Sequence, residues 1–249
     1  MTAPETLTTT QGRQIAYHKT EGDGPCVVFL GGFKSDMAGT KAVWLEDWCR
    51  DRGRAYLRFD YSGHGESSET FEDGCIGDWA EDTLAAVEAL TDGPILPVGS
   101  SMGGWQSLLL VRALPARIAG LVTIAAAPDF TEDGYWASFT EAQKKTLAET
   151  GQVELPSDYM EPYIITRRMI EDGRKQLVLR DPLHLPFPTR FLQGTADTAV
   201  SVATAVRLLE HAQGPDMQLQ LVKDADHRFS DDRCLELLIQ AVEEVSATT

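Results

Sequence analysis

The sequence predicts an α/β fold in which helices cover both faces of a mostly parallel β-sheet. Short apolar runs alternate with stretches of helical periodicity along most of the chain, a pattern typical of parallel sheets. The alternation is interrupted once, between residues 128 and 187, by a segment that is too long for a simple loop. We therefore expect a core domain formed by residues 1–127 and 188–249. The segment 128–187 is the expected cap, over the edge of the sheet where such folds bind ligands.

The N-terminal elements follow from local patterns. Residues 6–20 are rich in β-forming side chains around a Gln-Gly turn, which predicts an antiparallel hairpin. Residues 40–53 predict a helix whose apolar residues at helical spacing are Val43, Trp44 and Trp48.

In the cap segment we expect two helical pieces, at 135–151 and 162–173, and no long apolar strand. Outside the cap and the N-terminal hairpin, the predicted strands are 25–32, 54–60, 94–100, 118–128, 189–197 and 217–226. The other predicted helices are 76–93, 102–114, 200–212 and 231–245.

The composition argues against several classes of function. The chain has 22 Lys and Arg against 38 Asp and Glu, and its net charge of −16 disfavours nucleic acids and anionic membranes as partners. The four cysteines form no Cys-x-x-Cys pair, which indicates ordinary thiols in a reducing compartment and no metal site. No apolar run approaches the ~20 residues of a membrane span, and no targeting signal is recognisable. We expect a cytoplasmic protein without a membrane span, a metal or another cofactor.

One short motif indicates chemistry. The residues Gly99-Ser100-Ser101-Met102-Gly103 fit the pattern Gly-x-Ser-x-Gly, with a predicted strand before them and a predicted helix after them. This is the context of a nucleophile elbow, in which glycines let the backbone make a sharp, strained turn. The turn also places the serine at a helix N-terminus, whose dipole favours developing negative charge. Ser101 is therefore the predicted nucleophile and Ser100 the small residue that ends the strand, the alternative being a glycine turn with an idle serine.

Chain order selects a base and an acid for this serine. His227 follows the last predicted strand, in a loop that opens on the same edge of the sheet as the elbow, and is the predicted base. The acid is expected after an intervening strand, where Asp197 lies at a glycine turn and Asp129 is the second choice. An ionised Asp197 would fix the tautomer of His227 and stabilise its imidazolium form.

Two backbone N–H groups are expected to form an oxyanion hole. Met102 directly follows the nucleophile, and Phe33 lies in the loop after the first buried strand. Gly32 in that loop is a candidate substrate contact, although a plain glycine pair at the strand end is equally compatible with the sequence. His64, in the turn 60–67, either lines the site or stabilises that turn.

These motifs resemble the α/β-hydrolase superfamily, in the elbow at Gly99–Gly103, the turn DYSGHGES at 60–67 and the Ser–Asp–His order. The resemblance covers nearly the whole chain outside the cap. It implies the α/β-hydrolase fold, with a mostly parallel eight-stranded sheet and a small helical cap. It also implies that Ser101, Asp197 and His227 form the catalytic triad, with Phe33 and Met102 as oxyanion donors.

A closer resemblance rests on GGFKSDMAGTKA (31–42), RFDYSGHGES (58–67) and VGSSMGGW (98–105), with SDYMEP in the cap and DADHR near the end. These stretches are similar to a mitochondrial group of acyl-glucuronide esterases and palmitoyl-protein thioesterases. No mitochondrial presequence is recognisable here, which favours a bacterial cytoplasmic relative. The cap is less similar than the sheet, so the substrate of that group transfers only loosely.

We therefore expect a serine hydrolase that cleaves a small-molecule ester or an acylated-protein thioester through an acyl-enzyme on Ser101. In the cap, Trp136, Met160 and Tyr163 could hold an acyl chain, with packing inside the cap as the alternative. Arg167 could meet an anionic leaving group, or it could be an ordinary solvated side chain. Other functions compatible with the same residues are a peptidase, a carbon–carbon bond hydrolase and a non-catalytic binding protein.

Overall fold

The computed structural model describes residues 3–156 and 162–247. Its central element is a sheet of eight strands. In chain order these are β1 (Glu5–Thr8), β2 (Gln14–Thr20), β3 (Asp23–Leu30), β4 (Arg54–Phe59), β5 (Ile95–Ser100), β6 (Leu121–Ile124), β7 (Thr189–Gly194) and β8 (Met217–Val222).

The strands lie in the order β1-β2-β4-β3-β5-β6-β7-β8. β2 pairs antiparallel with β1 and with β4, whereas every pairing from β4 to β8 is parallel. Because parallel strands share their carboxyl edge, the loops after β3, β5, β7 and β8 open on one side of the molecule. The predicted eight-stranded, mostly parallel sheet is confirmed.

Helices cover both faces of the sheet, as predicted. They are α1 (Thr40–Asp51), α2 (Ile76–Leu90), α3 (Met102–Ala113), α4 (Glu141–Thr150), α5 (Arg167–Gly173), α6 (Val202–His211) and α7 (Asp232–Ser246). Side chains alternate along β3, so that Cys26, Val28 and Leu30 join one buried apolar cluster and Val27 and Phe29 join another. The first cluster contains the inner faces of α2 and α3, and the second contains those of α1 and α7.

The buried face of α1 differs from the prediction. Ala42, Leu45 and Cys49 are fully buried, whereas Trp44 is 43 % exposed. Positions 42, 45 and 49 are three and four residues apart and share one side of a helix, and Trp44 lies off that side. Trp48, three residues after Leu45, is buried on the same side as predicted, and the prediction was wrong for Trp44.

The described part of the segment between β6 and β7 contains a π-helix (Phe130–Trp136), α4, three short strands and α5. One of the strands, Leu183–His184, pairs parallel with Ala212–Gln213. The strands Gln152–Leu155 and Tyr163–Thr166 pair antiparallel, so the predicted helical piece 162–173 begins as a strand. The β-branched residues there favour an extended backbone. The helix begins only after Thr166, whose hydroxyl caps it by accepting the N–H of Met169 at 3.2 Å.

A close backbone contact joins β3 to α3. A Cβ on Gly103 would overlap the carbonyl oxygen of Leu30 at the end of β3, so only glycine lets the helix start so close to the strand. A Cβ on Gly99 would in turn overlap the carbonyl of Gly103. Both glycines of the elbow motif are therefore required by packing.

We expect Gly103→Ala to lower the free energy of unfolding by about 1–3 kcal/mol, because the added methyl group must displace backbone. The matched control is Gly134→Ala, whose Cβ would lie 3.7 Å from the Cβ of Phe130, an ordinary contact. That variant should stay within about 0.5 kcal/mol of the parent protein. Urea unfolding measures both, and equal stabilities of the two variants would contradict this interpretation of the elbow.

Candidate active site

Ser101 lies in the sharp turn between β5 and α3. Its φ of 56° and ψ of −116° are strained for a residue that carries a side chain. Its N–H donates to the carbonyl of Ile124 (2.9 Å), and its carbonyl accepts the N–H groups of Gly104 (2.9 Å) and Ala127 (3.1 Å). These bonds fix the serine hydroxyl at the first turn of α3.

His227 and Asp197 align with this hydroxyl. His227 lies in the loop after β8 and Asp197 in the loop after β7. The Nε2 atom of His227 is 3.2 Å from Ser101 Oγ, and its Nδ1 atom is 2.8 Å from Asp197 Oδ2. The Asp197 side chain is fully buried, and 31 % of the His227 side chain is exposed. Three side chains from distant parts of the chain thus form one hydrogen-bonded row.

Asp197 is held in its ionised form. Its Oδ1 accepts the N–H groups of Ala199 and Val200, each at 2.8 Å, and its Oδ2 accepts from His227 and from Gln193 Nε2 at 3.0 Å. Burial by itself raises the pKa of Asp197, but the hydrogen bonds from His227 and the backbone outweigh burial and lower the pKa below its ordinary value. A carboxylate in this setting stays charged and can orient the imidazole ring.

Sequence reasoning missed two residues that fix these loops. Gln193 on β7 is fully buried and donates through Nε2 both to Asp197 and to the carbonyl of Val200 (3.0 Å). Lys41 on α1 donates through Nζ to the carbonyl of Arg228, the residue after His227. Burial lowers the pKa of Lys41 to about 8. The one signal in the sequence was the closeness of Gln193 to Asp197, four positions away.

The proposed oxyanion donors flank the serine. Met102 is the first residue of α3, where N–H groups lack partners within the helix. Phe33 follows Gly32, and a Cβ on Gly32 would lie 3.4 Å from the Cβ of Ser101. In the described residues, neither the N–H of Phe33 nor that of Met102 donates a hydrogen bond. Both are free to meet an oxygen atom beside Ser101.

The ring of Phe33 lies at the centre of an aromatic cluster that joins the core to the segment 128–187. Tyr163, a predicted substrate contact, has its ring centroid 5.8 Å from that of Phe33. The other rings around Phe33 are Phe71 (4.8 Å), Phe130 (5.6 Å), Trp79 (6.1 Å) and Tyr135 (6.1 Å). Their edge-to-face geometry stabilises such pairs beyond simple burial. The loop carrying Phe33 is thereby packed against both parts of the protein.

His64 does not reach the surface of this site. Its side chain is buried, with Nδ1 3.2 Å from the carbonyl of Ser62, and Nε2 accepts the N–H of Lys34 at 3.3 Å. Burial lowers the pKa of His64 to about 4. Because both ring nitrogens have partners, these contacts favour the turn-stabilising role over the substrate contact.

The remaining candidates in the segment 128–187 lie elsewhere or outside the description. Trp136 packs under the Arg174 guanidinium, 4.5 Å from its ring centroid, and beside Phe139. Arg167 is exposed and donates to the carbonyl of Ala148 at 3.2 Å. Met160 lies outside the described residues. Trp136 and Arg167 therefore have partners within their own segment.

Asp129, the second choice for the acid, serves a different purpose. Its buried carboxylate accepts the N–H groups of Val178 (2.8 Å) and Leu179 (3.1 Å) and the guanidinium of Arg180 (3.1 Å). Burial raises the pKa of Asp129, although these donors act against the rise. Asp129 thus fastens residues 178–180 to the loop after β6, and His227 pairs with Asp197 instead.

Residues 25–163 match the family described as alpha/beta hydrolase fold. The chain belongs to the α/β-hydrolase family. Its eight-stranded sheet and the elbow between β5 and α3 are the features that this family shares. The resemblance inferred from the sequence motifs is therefore confirmed at the level of the fold.

Individual relatives are more specific. The bovine protein named palmitoyl-protein thioesterase ABHD10, mitochondrial, is 33 % identical over 236 residues, which cover 93 % of this chain and 76 % of the relative. The crystal structure of a putative hydrolase from Agrobacterium vitis S4 superposes with a TM-score of 0.94 at 37 % identity, over 98 % of both chains. The structure of the mouse alpha/beta hydrolase domain-containing protein 10 superposes with a TM-score of 0.90 at 30 % identity, again over 98 % of both chains.

Neither a metal site nor a membrane helix is found in residues 3–156 and 162–247. No group of three or more His, Cys, Asp or Glu side chains there could hold a metal ion, and no helix is long and apolar enough to cross a membrane. All four cysteines are free and buried. Burial raises the pKa of Cys26, Cys49 and Cys75 to about 12, so their thiols stay protonated and unreactive at neutral pH.

Asp197→Asn tests the ionised acid through the pH dependence of stability. Folding lowers the pKa of Asp197, so the carboxylate stabilises the folded state above its ordinary pKa of about 3.9, and this is lost as the pH falls through the lowered pKa. We expect the variant to lose about 2 kcal/mol of unfolding free energy at pH 7 and clearly less at pH 3.

The control for this measurement is the exposed Asp181, which should tolerate Asp181→Asn within about 0.5 kcal/mol at both pH values. Urea unfolding of the parent protein and both variants at each pH gives the six free energies. A loss in Asp197→Asn that does not shrink towards pH 3 would show that its carboxylate is not stabilised by folding.

Proposed function

We propose that this protein is a serine hydrolase that cleaves carboxylic esters and acyl thioesters through an acyl-enzyme on Ser101. The observation that carries the proposal is the hydrogen-bonded row of Ser101, His227 and Asp197, with contacts of 3.2 and 2.8 Å. A serine in a strained turn at a helix N-terminus, with a histidine in reach and a buried acid behind it, is the arrangement of an activated nucleophile.

In the first step His227 Nε2 takes the proton of the Ser101 hydroxyl while Oγ attacks the acyl carbonyl carbon. The ring nitrogen Nδ1 keeps its proton and donates a hydrogen bond to Asp197 Oδ2, which leaves Nε2 as the free base. The carboxylate then stabilises the imidazolium ion. Protonation of the leaving group by His227 releases an alcohol or a thiol, and an ester on Ser101 remains.

The negative charge that develops on the carbonyl oxygen is stabilised by the N–H groups of Phe33 and Met102. The N-terminus of α3 adds its dipole at the same point. In the second step His227 takes a proton from a water molecule, whose oxygen attacks the acyl carbon. The bond from that carbon to Ser101 Oγ breaks, the carboxylic acid leaves, and His227 returns the proton to Oγ. No metal or organic cofactor is needed for this sequence of steps.

The thioesterase name of the 33 % identical bovine relative supports acyl thioesters as one substrate class. Oxygen esters such as acyl glucuronides are the second class, proposed from the resemblance of the sequence motifs. A small-molecule ester and an acylated protein are both compatible with this chemistry.

We propose that residues 128–187 form the cap of this hydrolase. Tyr163 and the aromatic cluster around Phe33 then provide an apolar wall for the acyl group.

Four free, buried cysteines support a reducing compartment, for which we propose the cytoplasm.

The test pairs two neighbouring serines. Ser101→Ala should lower the hydrolysis of p-nitrophenyl esters and acyl thioesters at least about 10³-fold and abolish labelling by a fluorophosphonate, because the nucleophile is lost. Ser100→Ala changes the adjacent buried residue at the end of β5 and should keep activity and labelling. Steady-state rates and gel fluorescence provide the readouts.

Each alternative has its own outcome in this test. Labelling of the parent protein together with cleavage of aminoacyl amides, but not of esters or thioesters, would favour a peptidase. No labelling and no turnover in the folded parent protein, with Ser101→Ala identical to it, would contradict the proposal and favour a binding protein.

Gln193→Leu tests the support of the acid. Removing a hydrogen bond to a charged carboxylate should lower kcat about tenfold and leave KM nearly unchanged. Gln106→Leu is the matched control, since Gln106 is equally buried and donates to the carbonyl of Ile76 instead. Its activity per folded molecule should be that of the parent protein. An equal fall in kcat for both variants would indicate a general loss of structure.

A further inference from the structure

The turn that follows β4 runs alongside the loop 31–37, which carries Phe33. Four side chains of β4 and this turn bond to the backbone of that loop. The Tyr61 hydroxyl donates to the carbonyl of Gly31 (3.2 Å), and His64 Nε2 accepts the N–H of Lys34 (3.3 Å). At Met37, Asp60 accepts the N–H (2.6 Å) and Arg58 donates to the carbonyl (2.9 Å). The loop is thus fixed at three of its seven residues by one neighbouring segment.

The His64 contact lies nearest to Phe33. Lys34 is the next residue in the chain, and its φ of 57° is a left-handed conformation that residues with side chains rarely adopt. A backbone in this conformation persists only where its surroundings hold it. The bond from the Lys34 N–H to His64 Nε2 is such a restraint, and it acts on the peptide next to the N–H of Phe33.

The tautomer of His64 fits this task. Its Nδ1 is 3.2 Å from the carbonyl of Ser62 and donates to it, so Nε2 carries the lone pair that accepts from Lys34. The ring is fixed by edge-to-face contacts with Tyr61 (5.5 Å), Phe71 (5.1 Å) and Trp79 (5.1 Å). The indole N–H of Trp79 donates to the same Ser62 carbonyl at 3.0 Å. His64 therefore presents one acceptor in one direction.

We propose that His64 is a positioning residue for the oxyanion hole, in which its Nε2 lone pair holds the Lys34 peptide and thereby aims the N–H of Phe33 at the carbonyl oxygen of the substrate. This inference rests on the proposed serine hydrolase function. It assigns a role to the turn DYSGHGES at 60–67, which contributes no residue to the row of Ser101, His227 and Asp197. A displacement of about 1 Å in such a group can reduce a rate about 10²-fold.

The experiment replaces His64 with Gln or Asn, whose side-chain amides can each take the place of one of the two ring nitrogens. In His64→Gln the amide oxygen can replace Nε2 as acceptor for Lys34, whereas in His64→Asn the shorter amide can replace only the Nδ1 donor to Ser62. We expect His64→Asn to lower kcat for an ester at least tenfold with little change in KM, and His64→Gln to stay within about threefold of the parent protein. Rescue by the longer amide is not expected of a merely structural role.

A second readout is the affinity for an alkylboronic acid, whose tetrahedral adduct with Ser101 places an oxygen in the oxyanion hole. Its inhibition constant should rise about tenfold in His64→Asn and little in His64→Gln. His64→Phe keeps the aromatic packing and removes the acceptor, so it should behave as His64→Asn does and serves if that variant unfolds.

The two proposals fail in distinguishable ways. Absence of Ser101-dependent hydrolysis in the parent protein would overturn the proposed function itself. With an active parent protein, equal loss in His64→Asn and His64→Gln, or full kcat and boronate affinity in His64→Phe, would overturn the role of His64.

Discussion

The backbone contact between Gly103 and the end of β3 is the constraint on which the site depends. No side chain fits there, so the first turn of α3 meets the carbonyl of Leu30 directly. This contact places the start of the helix beside the loop 31–37, and with it the N–H groups of Met102 and Phe33. The strained φ of Ser101 is a consequence, because the chain must turn sharply from β5 into so close a helix.

Around this contact, each functional loop is held by a polar partner on a neighbouring element. Gln193 holds the loop of Asp197, Lys41 holds the loop of His227, and the turn after β4 holds the loop of Phe33. All these partners act on backbone carbonyls, N–H groups or the buried carboxylate, which are costly to leave unsatisfied. The arrangement therefore couples the stability of the fold to the geometry of the site.

The closeness of Ser101, Asp197 and His227 could be predicted from the sequence because strand order alone decides which loops share the carboxyl edge. Ser101, Asp197 and His227 each follow a strand of the parallel sheet, so topology brings them together without any knowledge of packing. Nothing in the sequence distinguishes the role of Gln193 from that of Gln106. Only the fold shows that Gln193 donates to Asp197, whereas Gln106 donates to the carbonyl of Ile76. The role of His64 was left open for the same reason, because its partner Lys34 lies thirty positions away.

Where local pattern and tertiary packing disagreed, packing decided. Residues 162–173 show helical periodicity, yet the first of them form a strand because Gln152–Leu155 offers an edge for pairing. Trp44 was expected inside, yet it is exposed, and α1 buries Ala42, Leu45, Trp48 and Cys49 instead. The hydrophobic pattern therefore identified most helices and strands. The buried face of α1 and the secondary structure of the segment 128–187 depend on contacts with residues distant in the sequence.

The central claim, an acyl-enzyme on Ser101, is tested most directly by mass spectrometry of the protein during turnover. A hindered ester such as p-nitrophenyl pivalate acylates a serine faster than the adduct is hydrolysed, so the intermediate accumulates. The account predicts one pivaloyl group per chain, located on the peptide that contains Ser101, and its disappearance as hydrolysis finishes. Release of p-nitrophenol with no acyl group on the protein, or with the group on another residue, would contradict the account.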